Sequence, residues 1–122
     1  MDADTLELMQ AAAQAAAEKK AFEIVGLDLS GLTSFTDGFL LCSASSGRHL
    51  QAVADEVQRS LKRERKPLNV EATADSWILL DYGDFILHLF TEERRAYYKL
   101  EALWGDAPHL DLPGLDQPDE RP

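Results

Sequence analysis

The chain has 122 residues, and 12 lysines and arginines against 22 aspartates and glutamates give it a formal net charge of −10. Such a length is typical of one domain that buries a core without disulfides. Phosphate backbones repel a negative chain unless a local basic patch exists, whereas a basic protein attracts it. We expect a cytoplasmic protein with no membrane contact. The chain has a single cysteine, Cys42, its residues 1–4 are acidic where a signal peptide would be basic, and its longest apolar run, 85–90, is too short to span a membrane.

The first half of the chain predicts two helices with two strands between them. Residues 5–22 are rich in alanine and lack glycine and proline, which favours a helix. Short apolar segments at 24–29 and 38–43 predict strands. The small polar residues 45–47 begin a second helix, whose apolar residues recur with the helical period and which Pro67 ends.

The second half predicts three strands. The first covers residues 68–71. The apolar runs 77–81 and 85–90 are separated only by the turn-forming residues 82–84, so they should form an antiparallel hairpin. Because both runs are almost continuously apolar, we expect both strands in the middle of the sheet, buried on both faces.

A third helix and an acidic tail complete the predicted organisation. Thr91 can cap the helix, and Gly105 can end it. Residues 106–122 hold four of the five prolines and five acids, which predicts a disordered tail after a domain covering residues 1–105. The order α β β α β β β α predicts an α/β fold with a mixed parallel and antiparallel sheet flanked by helices.

Few residues suggest catalysis. Cys42 and His88 lie within apolar runs and are more often core residues than a nucleophile or a base. The residues 43–48 could cradle a phosphate, but without a glycine-rich phosphate-binding motif they are more often ordinary capping and turn residues. Asp81 and Asp84 are three residues apart across a turn, so their carboxylates need not converge on Mg²⁺. No histidine or cysteine pair has metal-ligand spacing, and a binding module is therefore favoured over an enzyme.

Aromatic residues are concentrated near the predicted hairpin and the last helix. Tyr97 and Trp104 fall on the apolar stripe of that helix and suit the core. Trp77 and Tyr82 lie beside acidic residues, which is typical of protein interfaces. On residue type alone, core and interface positions remain equally good interpretations.

Two blocks of this sequence resemble the ribosomal silencing factor, or Iojap, family. They are SFTDGFLLCSASSGRHLQAVADEV at 34–57 and SWILLDYGDFILHLFTEERRAYYKLEALWG at 76–105. The most specific part is the spacing W-x-x-x-D-x-G-D-x-x-x-H, which begins at Trp77 and ends at His88. The resemblance covers about residues 5–105 in order and leaves the acidic tail without a counterpart.

The resemblance implies a nucleotidyltransferase-like topology and a function without catalysis or cofactor. Members of the family bind the large ribosomal subunit through its ribosomal protein fourteen of the L series. They thereby obstruct joining of the small subunit and lower translation when nutrients are scarce. The positions that match family residues and that we expect to contact this partner are Trp77, Asp81, Tyr82, Asp84, His88, Tyr98, Glu101 and Asp37.

The residues are compatible with two other hypotheses. One is a nucleotidyltransferase-like, Mg²⁺-dependent enzyme that uses Ser45, Ser46, Asp81 and Asp84. The other is a homodimer in which the aromatic and acidic hairpin pairs two copies. We expect no direct sequence-specific binding of nucleic acid.

Overall fold

The computed structural model describes residues 1–98 and 105–112, with the last three residues of the third helix described as backbone only. Its elements follow the predicted order. They are α1 (Ala3–Glu18), β1 (Phe22–Asp28), β2 (Gly38–Ala44), α2 (Gly47–Leu61), β3 (Asn69–Thr73), β4 (Trp77–Asp81), β5 (Phe85–Thr91) and α3 (Glu92–Tyr98). No helix within the described ranges has the length and apolarity needed to cross a bilayer.

The first helix is shorter than its composition predicts. The Asp2 carboxylate accepts a hydrogen bond of 2.7 Å from the backbone N–H of Thr5, which caps the start of α1. The helix ends at Glu18, and Lys20 adopts a left-handed φ of 70°. Phe22, predicted as the last helical residue, therefore begins β1 instead. The left-handed turn that reverses the chain here overrides the helix propensity of the preceding residues.

The five strands form one mixed sheet in the order β1-β2-β5-β4-β3, which confirms the predicted fold class. Strands β2 and β5 are parallel, and the other neighbouring pairs are antiparallel. The predicted hairpin of β4 and β5 is confirmed. The nucleotidyltransferase-like topology stays a prediction.

The expectation that both hairpin strands are fully buried is only half right. Strand β5 lies at the centre of the sheet and is buried along most of its length. Strand β4 alternates between buried and half-buried residues, because one of its faces packs in the main core while the other is only partly covered, and its outer neighbour β3 is a fully exposed edge strand. The apolar run 77–81 thus forms a strand with one face that is partly exposed to solvent.

The two faces of the sheet have different coverings. Helices α1 and α2 pack on each other and over one face, where Leu40, Leu80 and Leu87 belong to the main core. The opposite face carries a smaller apolar cluster. Its buried members are Leu27, Leu29, Phe39, Leu41, Phe90 and Ala107.

The segment 105–112 differs from the predicted disordered tail because it runs along the outer edge of β1. The backbone N–H of Leu110 donates to the carbonyl of Gly26 at 2.7 Å, and the N–H of Asp28 donates to the carbonyl of Pro108 at 2.8 Å. Leu110 and Leu112 pack against the main core. The domain therefore extends past residue 105. The rest of the predicted tail, 113–122, lies outside the described residues.

Candidate protein-binding face

Four aromatic side chains form a connected cluster on the sheet face opposite α1 and α2. We name Phe39, Trp77, His88 and Phe90 the aromatic face. Ring centroids are 4.6 Å apart between Phe39 and His88, 5.8 Å between His88 and Phe90, and 5.2 Å between Trp77 and Phe90. Strand register brings them together, since Trp77 of β4 pairs directly with Phe90 of β5. Trp77 is half-buried and the other three are buried, so the indole is the part of the cluster that a partner can reach.

His88 fixes the orientation of Trp77. The indole Nε1–H donates to Nδ1 of His88 at 3.2 Å, so the proton of a neutral imidazole lies on Nε2. The side chain is only 5% exposed, and Nε2 has no hydrogen-bond partner among the described residues. Burial lowers the pKa of His88 to about 4, and the ring is therefore neutral at physiological pH. His88 supports the contact surface from below rather than projecting from it.

Tyr82, predicted as a partner contact, is instead a core residue. Its side chain is 1% exposed and stacks on Phe85 with ring centroids 5.0 Å apart. Burial raises the pKa of its phenol to about 12. It has the same parity along the hairpin as Ile78 and Leu80, which also point toward the helices.

The three predicted aspartates lie around the turn that joins β4 and β5, each in a different environment. Asp81 accepts a hydrogen bond of 2.8 Å from the backbone N–H of Gly83 through Oδ1. Asp84 is exposed and forms an ion pair of 2.9 Å with Arg65. The backbone N–H of Asp37 donates to the carbonyl of Asp84 at 2.9 Å, which joins the loop before β2 to this turn. The negative charge of the candidate site is thus concentrated at one end of the sheet.

Phe35 extends the candidate site and was missed by sequence reasoning. It is 58% exposed, and its ring meets Phe39 edge-to-face with centroids 6.2 Å apart. An exposed phenylalanine in contact with a buried aromatic cluster is typical of interaction surfaces. The signal was present in the sequence, because Phe35 lies two residues before Asp37 in the block that carries the resemblance.

Helix α3 is attached to the sheet by a buried arginine. Thr91 caps it as predicted, accepting a hydrogen bond from the N–H of Arg94. Nη1 of Arg95 donates to the carbonyl of Glu23 at 2.6 Å and to Oγ of Ser43 at 2.8 Å. These bonds fix where α3 begins. Tyr98 is its last residue, with its side chain beyond the description, and Glu101 lies outside the described residues altogether.

The small-residue loop before α2 is a helix cap in which Ser45 and Ser46 both hydrogen-bond to His49. The N–H of Ser45 donates to Nδ1 of His49 at 3.0 Å, and Oγ of Ser46 accepts from the N–H of His49 at 3.1 Å. Nε2 of the same histidine donates to the carbonyl of Lys19 at 2.6 Å, which joins the two helices. These contacts favour capping over the phosphate-binding interpretation.

The structure also disfavours the remaining candidates for a chemical role. Cys42 is buried as predicted, and burial raises the pKa of its thiol to about 12, which disfavours the reactive thiolate. Residues 1–98 and 105–112 contain no group of three or more histidine, cysteine, aspartate or glutamate side chains that could hold a metal ion.

Comparison with known proteins identifies the family. The family model described as "Ribosomal silencing factor during starvation" matches residues 2–122. The chain belongs to this family. The ribosomal silencing factor of Halalkalibacterium halodurans is 40% identical, with coverage of 89% of this chain and 95% of its own length. That of Bacillus subtilis is 36% identical, with coverage of 90% and 96%.

Solved structures agree with this assignment. A Chromobacterium violaceum protein, CV0518, is 32% identical with a TM-score of 0.78, covering 86% of this chain and 88% of its own. A Bacillus halodurans protein is 35% identical with a TM-score of 0.75, covering 87% and 98%. Family membership supports a role in ribosome silencing, and the family is one of regulatory factors rather than of known enzymes.

Proposed function

We propose that this chain is a noncatalytic inhibitor of translation that docks on the large ribosomal subunit and sterically blocks joining of the small subunit. Its docking partner is the basic ribosomal protein fourteen of the L series, and it acts in the cytoplasm when nutrients are limiting. The observation that supports this proposal most strongly is the aromatic face. It offers a half-buried tryptophan with exposed Phe35 nearby, and an acidic turn at the end of the same sheet.

The chemistry of this surface suits a basic protein partner. Aromatic anchors supply most of the binding energy in many interfaces, and tryptophan is among the most frequent. The hydrogen bond from Trp77 to His88 restricts the indole before binding, so less conformational entropy is lost when a partner covers it. Acidic groups such as Asp84 would steer a positively charged partner toward the anchor.

Inhibition by this route needs no bond-making step. A folded domain on the joining surface excludes the other subunit from the volume that it occupies. The degree of inhibition then follows the fraction of large subunits that carry the factor, which depends on its concentration relative to Kd.

No observation favours the Mg²⁺-dependent alternative, because the groups of Ser45 and Ser46 are engaged in capping α2. If two copies pair through the aromatic face, pairing competes with docking, and a concentration series in analytical ultracentrifugation measures it.

Co-sedimentation tests the proposal. The full chain should pellet with isolated large subunits and stay in the supernatant with joined ribosomes. Its absence from the large-subunit pellet, at micromolar concentration and moderate salt, would contradict the proposal.

A further inference from the structure

The end of α2 and the loop after it concentrate positive charge in an otherwise acidic chain. Residues 59–66, which we name the basic segment, hold five of the twelve lysines and arginines and one of the 22 acids. The rest of the chain has seven basic and 21 acidic residues. A local positive region attracts polyanions even when the whole molecule is negative.

Three cations of the basic segment are available to a partner. Lys62, Arg63 and Lys66 are exposed, and their side chains form no ion pair or hydrogen bond within the described part of the chain. The helix dipole explains a cation in the last turn of α2, where Arg59 lies. The dipole also favours a cation at the C-cap Lys62, but it falls off within the last turn and does not account for Lys66, four residues further along the chain.

The basic segment is held beside the proposed docking site. Nη1 of Arg65 donates to Oδ2 of Asp84 at 2.9 Å and to the carbonyl of Tyr82 at 3.3 Å. These contacts tie the segment to the turn that carries the acidic end of the sheet. A basic surface and an acidic surface therefore adjoin each other, with the ion pair between Arg65 and Asp84 at their boundary.

We infer that the basic segment binds the phosphate backbone of ribosomal RNA next to the ribosomal protein that the aromatic face contacts, an inference that rests on the proposed function. A subunit built on RNA presents phosphates at high density, and a chain of net charge −10 needs a local positive surface to approach them. Lysine and arginine contacts to phosphate orient a protein without reading bases. The acidic part of the chain then meets protein while the basic part meets RNA.

A matched pair of triple variants of the full chain tests this inference. Lys62→Gln, Arg63→Gln and Lys66→Gln together remove the three available cations. Lys19→Gln, Lys20→Gln and Arg48→Gln remove the same charge from exposed residues near the other end of α2. For the parent and both variants, Kd for intact large subunits is measured at several salt concentrations. Kd for isolated ribosomal protein fourteen is measured at a single salt concentration.

The first variant should bind large subunits about tenfold or more weakly at low salt, and its slope of log Kd against log salt should fall by about two to three. The control variant should match the parent on large subunits, and both variants should bind the isolated protein as the parent does. Equal slopes for the two variants would overturn the inference, including when affinity falls. Failure of the parent to bind the isolated protein would instead overturn the proposed partner, while the slopes on subunits would still report on the basic segment.

Discussion

At the scale of single residues, the hydrogen bond between Trp77 and His88 joins the stability of the fold to the geometry of the proposed docking surface. The indole is half-buried and the imidazole is buried beneath it. The same low-dielectric surroundings that lower the pKa of His88 to about 4 keep it neutral and able to accept from Trp77. Protonation would remove the acceptor and place an unpaired charge in the sheet.

This arrangement predicts a pH dependence of folding stability. Because the pKa of His88 is lower in the folded chain than its usual 6.5, the unfolded chain binds the proton more tightly between those values. Stability is therefore complete above about pH 6.5 and falls by up to about 3 kcal/mol as the pH approaches 4. Urea unfolding of the parent and of His88→Gln should show the loss only in the parent. Equal pH slopes for both would contradict the assignment.

Two carboxylates with a lowered pKa, those of Asp2 and Asp28, titrate below this window. Hydrogen bonds from Thr5 lower the pKa of Asp2, and those from Ser30 lower the pKa of Asp28, below the usual 3.8. Their contribution to stability is present above pH 3.8 and is lost as the pH falls further. The interval from 4 to 6.5 therefore isolates His88 from these two carboxylates.

Truncation of the aromatic anchor predicts a loss of docking. Trp77→Ala should weaken binding to large subunits by about 2 kcal/mol, roughly 30-fold, because the variant removes the reachable part of the aromatic face. Leu68→Ala is the matched control, since Leu68 is 75% exposed and lies beside the edge strand β3. Binding isotherms that coincide for the two variants would remove Trp77 from the interface.

The burial of the candidate site residues could be predicted from the sequence only in part. Trp77 and Asp81 are half-buried and Asp84 is exposed, while their role in binding stays a prediction. Tyr82 could have been assigned to the core by continuing the alternation of Ile78 and Leu80 into the turn. The support that His88 gives to Trp77 depends on strand register, which residue spacing alone does not specify.

At the scale of elements, the turn between β4 and β5 depends on one glycine. Gly83 has a φ of +86°, and a Cβ there would lie 3.1 Å from Cδ1 of Leu68. Gly83→Ala should therefore lower the free energy of unfolding by about 1 kcal/mol or more. Gly31→Ala is the control, because no atom lies within 4 Å of its added Cβ. Equal denaturation midpoints would show that the turn tolerates a side chain.

The segment 105–112 predicts that the folded unit extends beyond the third helix. A chain ending at Gly105 loses the backbone hydrogen bonds that Pro108 and Leu110 make to β1, together with the packing of Leu112. Thermal unfolding should show this chain to be less stable than one ending at Leu112 by about 2 kcal/mol or more. Identical melting temperatures would mean that the segment adds nothing to the fold.

The helices and strands were largely predictable from the sequence, whereas the segments that pair with the edge of the sheet were not. Apolar runs and caps identified every described helix and strand in order. Proline content made residues 106–122 resemble a tail, although residues 107–112 follow the edge of β1. Edge pairing of this kind depends on which backbone N–H and C=O groups of the edge strand are left unpaired when the sheet forms. Amino-acid composition does not specify those groups.

At the scale of the whole molecule, charge is divided between an acidic majority and the short basic segment. This division suits a protein that must approach a particle made of both RNA and basic protein. The acidic surface limits nonspecific attachment to RNA, and the basic segment would allow attachment in one orientation.

We propose that the bound chain keeps the ribosomal subunits apart by occupying space. The most direct test of this proposal is light scattering of purified large and small subunits mixed with a saturating excess of the chain. We predict that joining is reduced in proportion to the fraction of large subunits occupied, and that Trp77→Ala needs a roughly 30-fold higher concentration for the same reduction. Normal joining of subunits saturated with the bound chain would contradict the account.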